Sequence, residues 1–550
     1  MRLKVLAGLM AAAMLAPASA HALPAGPASQ TALADEPRIA PTPTARPVTA
    51  ANGTVRAGLL GLDPVVGEKD RYRDALIAFY EDRDFQPVWI SDGALTPAAR
   101  ETIARLRDAA SDGLDPAGYR IVERDLETGP HPTAPDLAAE EISLSRAVMA
   151  FARDAQSGRI DPVRVSRLVT LEPLVPDAVV SLKRVASATD PAGALDAFNP
   201  PHPQFQALKA KLAEIRDTSL ERLQPVPAGR NLRLGATDPR VGLLRQRLGA
   251  TLHRGSDVSV YDAEMVEAVK AFQAEHGLRA DGIIGPNTLA VLNRGLGGDP
   301  ETGILVNMER WRWMPRELGA TSVFVNIPAY KVRILREGTV AYEGRVIVGK
   351  PQNPTPIFTD EIEHIVVNPY WNVPYSIASK EMLSSIQKNP SGYFAKRGYE
   401  AVYKGKVVNP ASVNWSPAAL RNVRIRQKPG RGNALGNIKF MFPNKHAVYL
   451  HDTPSRNLFS RQVRALSHGC VRVDQPLDFA DALLAEEQHW NAAQLKKLIG
   501  GGERYLNLDR HIPVHLAYFT EWVDDDGALV HFSDIYGHDR RLAKLLDAAD

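Results

Sequence analysis

The sequence predicts a multidomain α+β protein: an α-helical scaffold, a small three-helix unit, and a β-sheet domain that carries a capping insertion. Three observations predict it. Apolar residues fall at helical spacing through 57–230, and three short amphipathic segments follow in 231–295. From Ile304 the pattern turns into short runs of β-branched residues bounded by Gly or Pro. The 550 residues accommodate about three domains at ~100–200 residues each. A composition 44% hydrophobic and 23% charged excludes whole-chain disorder and a coiled coil. Lys+Arg number 66 against 63 Asp+Glu, so the net charge of +3 points to neither a nucleic-acid nor a membrane-surface partner.

The chain opens with Met1-Arg2-Leu3-Lys4, an apolar run from Val5 to Ala16, and then Ala18-Ser19-Ala20. A positive start, a short apolar run and a small-x-small site read as a signal peptide at 1–22, cleaved after Ala20 or Ala22. The run is too short to span a bilayer comfortably, and no later stretch is apolar enough to do so. The expected location is therefore outside the cytoplasm. Residues 23–56, rich in Ala, Pro and Thr, read as a flexible linker.

Within 57–230, Leu76, Ile77, Phe79 and Tyr80 mark one helix. Thr96-Pro97 starts another, with Ile103 and Leu106, that ends near Gly113. Leu144, Val148, Met149 and Phe151 belong to a third that stops at Gly158, and Phe205, Leu208 and Leu212 mark one more. No polar constellation here looks catalytic, so this region reads as a scaffold.

In 231–295, Val241, Leu244 and Leu248 form one apolar stripe, and Met265, Val269 and Phe272 another. Gly285-Pro286 precedes a third helix with Leu289 and Leu292. The run Ala268-Val269-Lys270-Ala271-Phe272-Gln273, then His276-Gly277-Leu278, Asp281-Gly282-Ile283-Ile284-Gly285 and Thr288, resembles the type 1 peptidoglycan-binding domain family. The resemblance implies binding of cell-wall glycan or stem peptide.

The β segments of 301–550 include Val323–Ile327, Lys331–Leu335, Arg345–Val348, Ile365–Val367 and Ala447–Leu450. Between Tyr370 and about Lys428 lies a mixed, more helical insertion. After Arg510 two strands, Val514–Thr520 and Leu529–Phe532, flank the turn Asp525-Asp526-Gly527. Gly344 to Lys350 has the spacing of a phosphate-binding loop, but Pro351 follows where a hydroxyl is needed and the middle residues are a strand. Nucleotide binding is set aside.

Cys470 is the only cysteine, so no intramolecular disulfide can form. An unpaired thiol in an exported chain is either buried and inert or kept for chemistry. Its surroundings, Ser467-His468-Gly469-Cys470-Val471-Arg472, favour chemistry. A thiol of ordinary pKa is only a few per cent ionised at neutral pH and needs an imidazole or positive potential nearby. His468, two residues away, has poor geometry for direct proton transfer, whereas His451 can approach from a neighbouring strand and is assigned as the base. Gly469 would let backbone N–H groups face an oxyanion, and Arg472 brings positive charge. Tyr449 is either an oxyanion donor or a rim tyrosine. A zinc site of Cys470, His451 and His468 lacks a fourth ligand.

His451, the interval to Ser467, and Ser467-His468-Gly469-Cys470-Val471-Arg472 resemble the motif of L,D-transpeptidases with a YkuD-type catalytic domain. Asn307–Trp313, Arg426–Gly430, Asn433–Gly436, Phe442–Asn444 and Leu450–Pro454 are similar to the large YcbB-type members. The resemblance implies a β-sandwich catalytic domain at 301–510, a capping subdomain at 372–428, and a C-terminal β-hairpin extension at 511–550. It implies Cys470 as nucleophile and His451 as proton acceptor and donor, with Gly469, His468, Ser467, Tyr449 and Arg472 placing substrate or oxyanion. No metal or organic cofactor is implied. The implied substrates are peptidoglycan stems: a tetrapeptide donor that loses D-Ala, and an acceptor amine that completes a 3→3 cross-link. Periplasmic location, acylation by carbapenems, and carboxypeptidase and glycan-polymerising partners go with that reading. The sequence leaves the acceptor open, water or a free D-amino acid being the alternatives. It also leaves open a wall-binding protein whose catalytic domain is inactive.

Overall fold

The structure, a computed structural model, describes residues 50–61, 72–121, 133–217, 226–227, 229–253, 255–275, 278–293 and 300–549. The expected signal peptide, most of the expected linker, and His276-Gly277 of the wall-binding motif lie outside the described residues. The linker reading extended too far. Ala50–Leu60 is a helix that buries Val55 and Leu59, an i, i+4 pair whose spacing a run of Ala, Thr and Gly conceals.

The helical half follows its local signals. Thr96 caps the helix Pro97–Arg107 by accepting from Ala99 N at 3.1 Å. Thr133 and Asp136 form a capping box at the head of Ala134–Ser157. Around them Leu76, Phe79, Tyr80, Trp89, Leu106, Val148 and Phe151 make one core. Glu141 lies inside it and accepts from Val88 N, Trp89 N and the Tyr80 hydroxyl at 2.6–2.9 Å. Burial pushes its carboxyl up despite those donors.

Leu182, Val185, Leu195 and Phe198 belong to this same core, but the segments on either side of them pack elsewhere. Phe205, Leu208 and Leu212 of the helix Pro203–Asp217 join the core of the β domain, as do Val165 and Val169. A bridge between Val169 and Ile357 fixes that strap on the sheet. Asp112 ties the two cores together. It is paired with Arg105 and, at 2.6 Å, with Lys209, while Arg312 donates to its carbonyl at 2.6 Å. Burial opposes its charge, yet Arg105 and Lys209 hold the carboxyl below the usual range.

The β pattern expected from Ile304 begins only at Thr321. Pro300–Trp313 is a helix in which Ile304 and every residue from Val306 to Trp313 is buried. A helix covered on all faces has no amphipathic stripe to betray it. In the 231–295 unit the three helices are Arg240–Leu248, Ala263–Glu275 and Pro286–Leu292. Its motif residues serve packing. Gln273 donates to Asp281, Ile283 O and Thr288 at 3.0 Å each, and accepts from Gly282 N at 2.8 Å.

Residues from Thr321 to Ala517 build one nine-stranded sheet. Its strands are β1 (Thr321–Asn326), β2 (Lys331–Arg336), β3 (Thr339–Gly349), β4 (Phe358–Val367), β5 (Ile438–Met441), β6 (Leu450–His451), β7 (Ala465–Ser467), β8 (Val471–Val473) and β9 (Arg504–Ala517). The order is β7-β3-β8-β6-β5-β4-β9-β1-β2, and β2 also pairs with β3. The sheet therefore closes on itself, and its facing halves enclose Val323, Val332, Val346, Ile365, Phe440, Leu450 and Val471 as the expected sandwich does.

The expected boundary at 510 falls inside β9, which pairs with both β1 and β4. Arg510-His511 sit where its register shifts, between Asn507 and Ile512, Pro513 follows directly, and together they break the alternation that would have shown one continuous strand. The hairpin beyond it is Glu521–Val523 with Leu529–His531.

The insertion folds around its own core of Met382, Ile386, Phe394, Ala401, Trp415, Leu420 and Ile425. It contains a four-stranded sheet built from Trp371–Asn372, Val423–Gln427, Tyr399–Tyr403 and Lys406–Val408. Helices spanning 375–397 lie between the first and third of these in the chain.

Candidate active site

Cys470 stands at the mouth of β8, one residue before the strand. β6 and β8 run parallel, with Leu450 beside Val471 and His451 beside Arg472. Val471 N donates to Tyr449 O at 3.1 Å, so the ladder also sets Tyr449 beside Cys470. Side chains alternate along a strand. Leu450 and Val471 point into the core, and Tyr449, His451, Cys470 and Arg472 share the opposite face. Lys439 of β5 pairs with His451 and joins them there.

A tight turn aims the thiol. Gly469 has φ 120°, a conformation that a side chain would strain. Ser467 Oγ donates to Cys470 O at 2.6 Å and accepts from Gly469 N at 3.1 Å. Thr355 Oγ1 donates to Gly469 O at 2.7 Å and accepts from Gly349 N at 2.8 Å. The Tyr536 hydroxyl donates to Gly349 O at 2.6 Å and accepts from Thr355 N at 3.1 Å. Neither Thr355 nor Tyr536 was legible in the sequence, because each lies more than 60 residues from Cys470 and acts through backbone atoms.

His451 is buried, and its Nδ1–H donates to Asp452 O at 2.5 Å, which leaves Nε2 as the acceptor. Asp452 is itself held by Asn437 N at 2.8 Å, Thr453 N at 2.6 Å and Arg456. Burial, then Arg472 and Lys439, push the imidazole down to about 3. Burial also pushes the Cys470 thiol up, against hydrogen bonding from Tyr449 and the charges of Lys439 and Arg472. Burial thus favours the neutral thiol and the neutral imidazole over an ion pair.

His468 faces away from the thiol. Its Nε2 lies 2.6 Å from Glu381 Oε1 in the insertion and 3.3 Å from Lys350 Nζ. Among the described residues no group of three His, Cys, Asp or Glu side chains is placed to hold a metal ion.

Three further histidines are buried neutral. Burial pushes His202 and His538 to about 4, and His515 downward as well. An unfolded imidazole titrates near 6.5, so below that pH the unfolded chain takes up protons that the native state refuses. Stability is thus fully present above pH 6.5 and is lost as pH falls toward 4. By pH 5 the loss is roughly 2 kcal/mol for each of His202, His451 and His538. Urea unfolding followed by tryptophan fluorescence from pH 8 to 5 checks this; an unchanged midpoint down to pH 5 contradicts it.

The site is thus a closed β sheet with a cysteine at a strand mouth, a carbonyl-oriented histidine one strand away and an insertion with its own core. The comparisons make it specific. Residues 320–490 match the L,D-transpeptidase catalytic domain family YkuD, residues 237–292 a peptidoglycan binding domain, and residues 74–212 a scaffold domain. The chain carries a YkuD L,D-transpeptidase catalytic domain together with a peptidoglycan-binding domain. A Haemophilus influenzae protein that bears the name L,D-transpeptidase is 37% identical over 242 residues, covering 44% of this chain and 48% of the relative. The chain thus spans about half the length of the curated relative it matches. An L,D-transpeptidase structure from Xylanimonas cellulosilytica aligns at 18% identity and TM-score 0.15, covering 53% of this chain and 98% of that one. One from Mycobacterium smegmatis aligns at 14% and 0.17, covering 36% and 58%.

Proposed function

We propose that this chain is an exported peptidoglycan L,D-transpeptidase that forms 3→3 cross-links through a Cys470 thioester. The observation that carries the reading is the parallel register of β6 and β8, which sets Cys470 beside Tyr449 and two register positions from His451 on the same face. Cys470 Sγ attacks the carbonyl carbon between the third stem residue, at the L-centre of diaminopimelate, and the terminal D-Ala. The thiol proton passes to His451 Nε2 as the C–S bond forms. The C–N bond then breaks, and D-Ala leaves as an amine that takes the proton back. The side-chain amine of a second stem attacks the thioester, its proton returns through His451, and Cys470 regains its thiol. The reaction needs no cofactor.

Because burial favours the neutral form of both groups, proton transfer accompanies attack rather than preceding it. Arg472, whose guanidinium shares the face with Cys470, offers positive charge to the substrate or the sulfur. Ser467 and Gly469 act by holding the turn. The divisions at 57–230, 231–295, 301–510 and 511–550 stand as a functional proposal: scaffold, wall attachment, chemistry, and a C-terminal brace that supplies Tyr536. The peptidoglycan-binding and catalytic domains support a location at the wall, the periplasm in a cell with two membranes, and peptidoglycan as the partner. Among the described residues no helix is long and apolar enough to cross a membrane.

Muropeptide mass spectrometry of cells with and without the protein tests this reading. A 3→3 dimer that depends on the protein supports it. Loss of D-Ala with free tripeptide as the product would make the enzyme a hydrolase, and an unchanged profile would leave a wall-binding protein.

The insertion at 372–428 acts as a lid in this reading, and Glu381–His468 is its latch on the nucleophile loop. Glu381→Gln is expected to change carbapenem acylation by less than about tenfold while raising the share of thioester lost to water. The ratio of hydrolysed to cross-linked product, by chromatography, checks it; an unchanged ratio argues against the latch.

A further inference from the structure

We propose that Lys439 is a positioning residue for the nucleophile: its ammonium, seated on the ring of Tyr449, holds that phenol on Cys470 and keeps positive potential at the sulfur. This rests on Cys470 as the nucleophile. Lys439 pairs with His451 across β5 and β6, and His451 pairs with Arg472 across β6 and β8. The three side chains form one row, with Tyr449 and Cys470 in the row beside it. Lys439 Nζ stands 3.9 Å from the centroid of the Tyr449 ring, well inside the ~6 Å reach of a cation–π contact. The Tyr449 edge meets His451, with centroids 5.6 Å apart and planes at 64°. The phenol is thus fixed on its face by Lys439 and at its edge by the base.

Such a placement has a chemical consequence. A cation on the ring face withdraws electron density and makes the phenol O–H a stronger donor. Tyr449 and Cys470 already act on each other: the Tyr449 hydroxyl favours the thiolate, and the thiolate's charge disfavours ionisation of the phenol. As His451 takes the proton, the sulfur gains charge and this donor strengthens. Lys439 is half-buried, and burial pushes its ammonium down while Cys470 and Glu503 push it back. A desolvated ammonium set against a ring is costly to keep unless its charge is used. The titratable groups that face it are Tyr449, His451, Cys470 and Arg472, with Glu503 just before β9, Tyr505 on β9 and His364 on β4.

The thiol can be read directly, because Cys470 is the only cysteine in the chain. The experiment measures iodoacetamide alkylation against pH on the full chain, by mass spectrometry, beside acylation by a carbapenem. Lys439→Met is expected to move the alkylation midpoint up by about one pH unit, a roughly tenfold loss of thiolate at a given pH. Lys439→Arg is expected to restore most of it. In a Tyr449→Phe background the Lys439→Met shift should shrink to about a third or less. Lys439→Gln carries the same expectation as Lys439→Met should the apolar variant fail to fold. An unmoved midpoint, even with slower acylation, would show a merely structural lysine and overturn the proposal. A full-sized shift without the Tyr449 hydroxyl would overturn the route through Tyr449. Should the wild type alkylate normally but resist carbapenem acylation, the nucleophile reading would fail on its own, separately from Lys439.

Discussion

Cys470→Ala is expected to fold as the wild type does and to lose cross-linking by at least ~10⁴-fold, since no other group can form the acyl-enzyme. Folding should survive because the turn that presents Cys470 is held by other atoms. Ser467, Thr355, Gly349 and Tyr536 hold that turn through hydroxyls and backbone. The thiol itself donates one long hydrogen bond, 4.0 Å to Ala447 O. Cys470→Ser should be as inactive as the alanine variant, since an alcohol is far less acidic than a thiol and His451 is too weak a base in its buried state to make up the difference. Intact mass after carbapenem treatment, muropeptide profiles and a thermal melt check the three parts. Alanine protein that still cross-links at a hundredth of the wild-type rate would sink the covalent mechanism.

His451→Gln is expected to slow acylation by about 10²–10⁴-fold with the fold retained. Glutamine approximates the volume and can still reach the Asp452 carbonyl, so the loss measures the missing proton acceptor. His468→Gln should cost far less, because that ring meets Glu381 and Lys350 rather than the thiol. The pH profile gives a second check. A base buried to about 3 stays neutral well below the ordinary histidine range. The acid limb of acylation should therefore lie below pH 5, and the rate should be nearly flat from there to pH 7. A limb centred near 6.5, or an essential His468, would reverse the assignment of the base.

Signals confined to neighbouring residues were legible in the chain. Thr96-Pro97 caps the helix it announces, and the stripes of Val241, Leu244, Met265 and Val269 make the small three-helix core. Cys470 and His451 were found because their types and surroundings are rare: a single thiol framed by Ser, His, Gly and Arg. The readings that failed or fell short are those in which tertiary context outweighs local pattern. Pro300–Trp313 is covered on every face, so it carries no helical stripe. β9 hides its continuity behind Arg510, His511 and Pro513.

By itself the sequence determined the order of its parts, the nucleophile and the base to be tested, and the wall-directed character of the chain. Only the tertiary structure decided what surrounds the sulfur. Lys439, Thr355 and Tyr536 have ordinary local sequence, and each becomes important through strand register or closure of the sheet. The same closure buries His451 and half-buries Cys470, which pushes the imidazole down and the thiol up. A side chain's type is a local property, but its desolvation and its partners come from segments far away in the chain, and those are fixed only when the sheet closes.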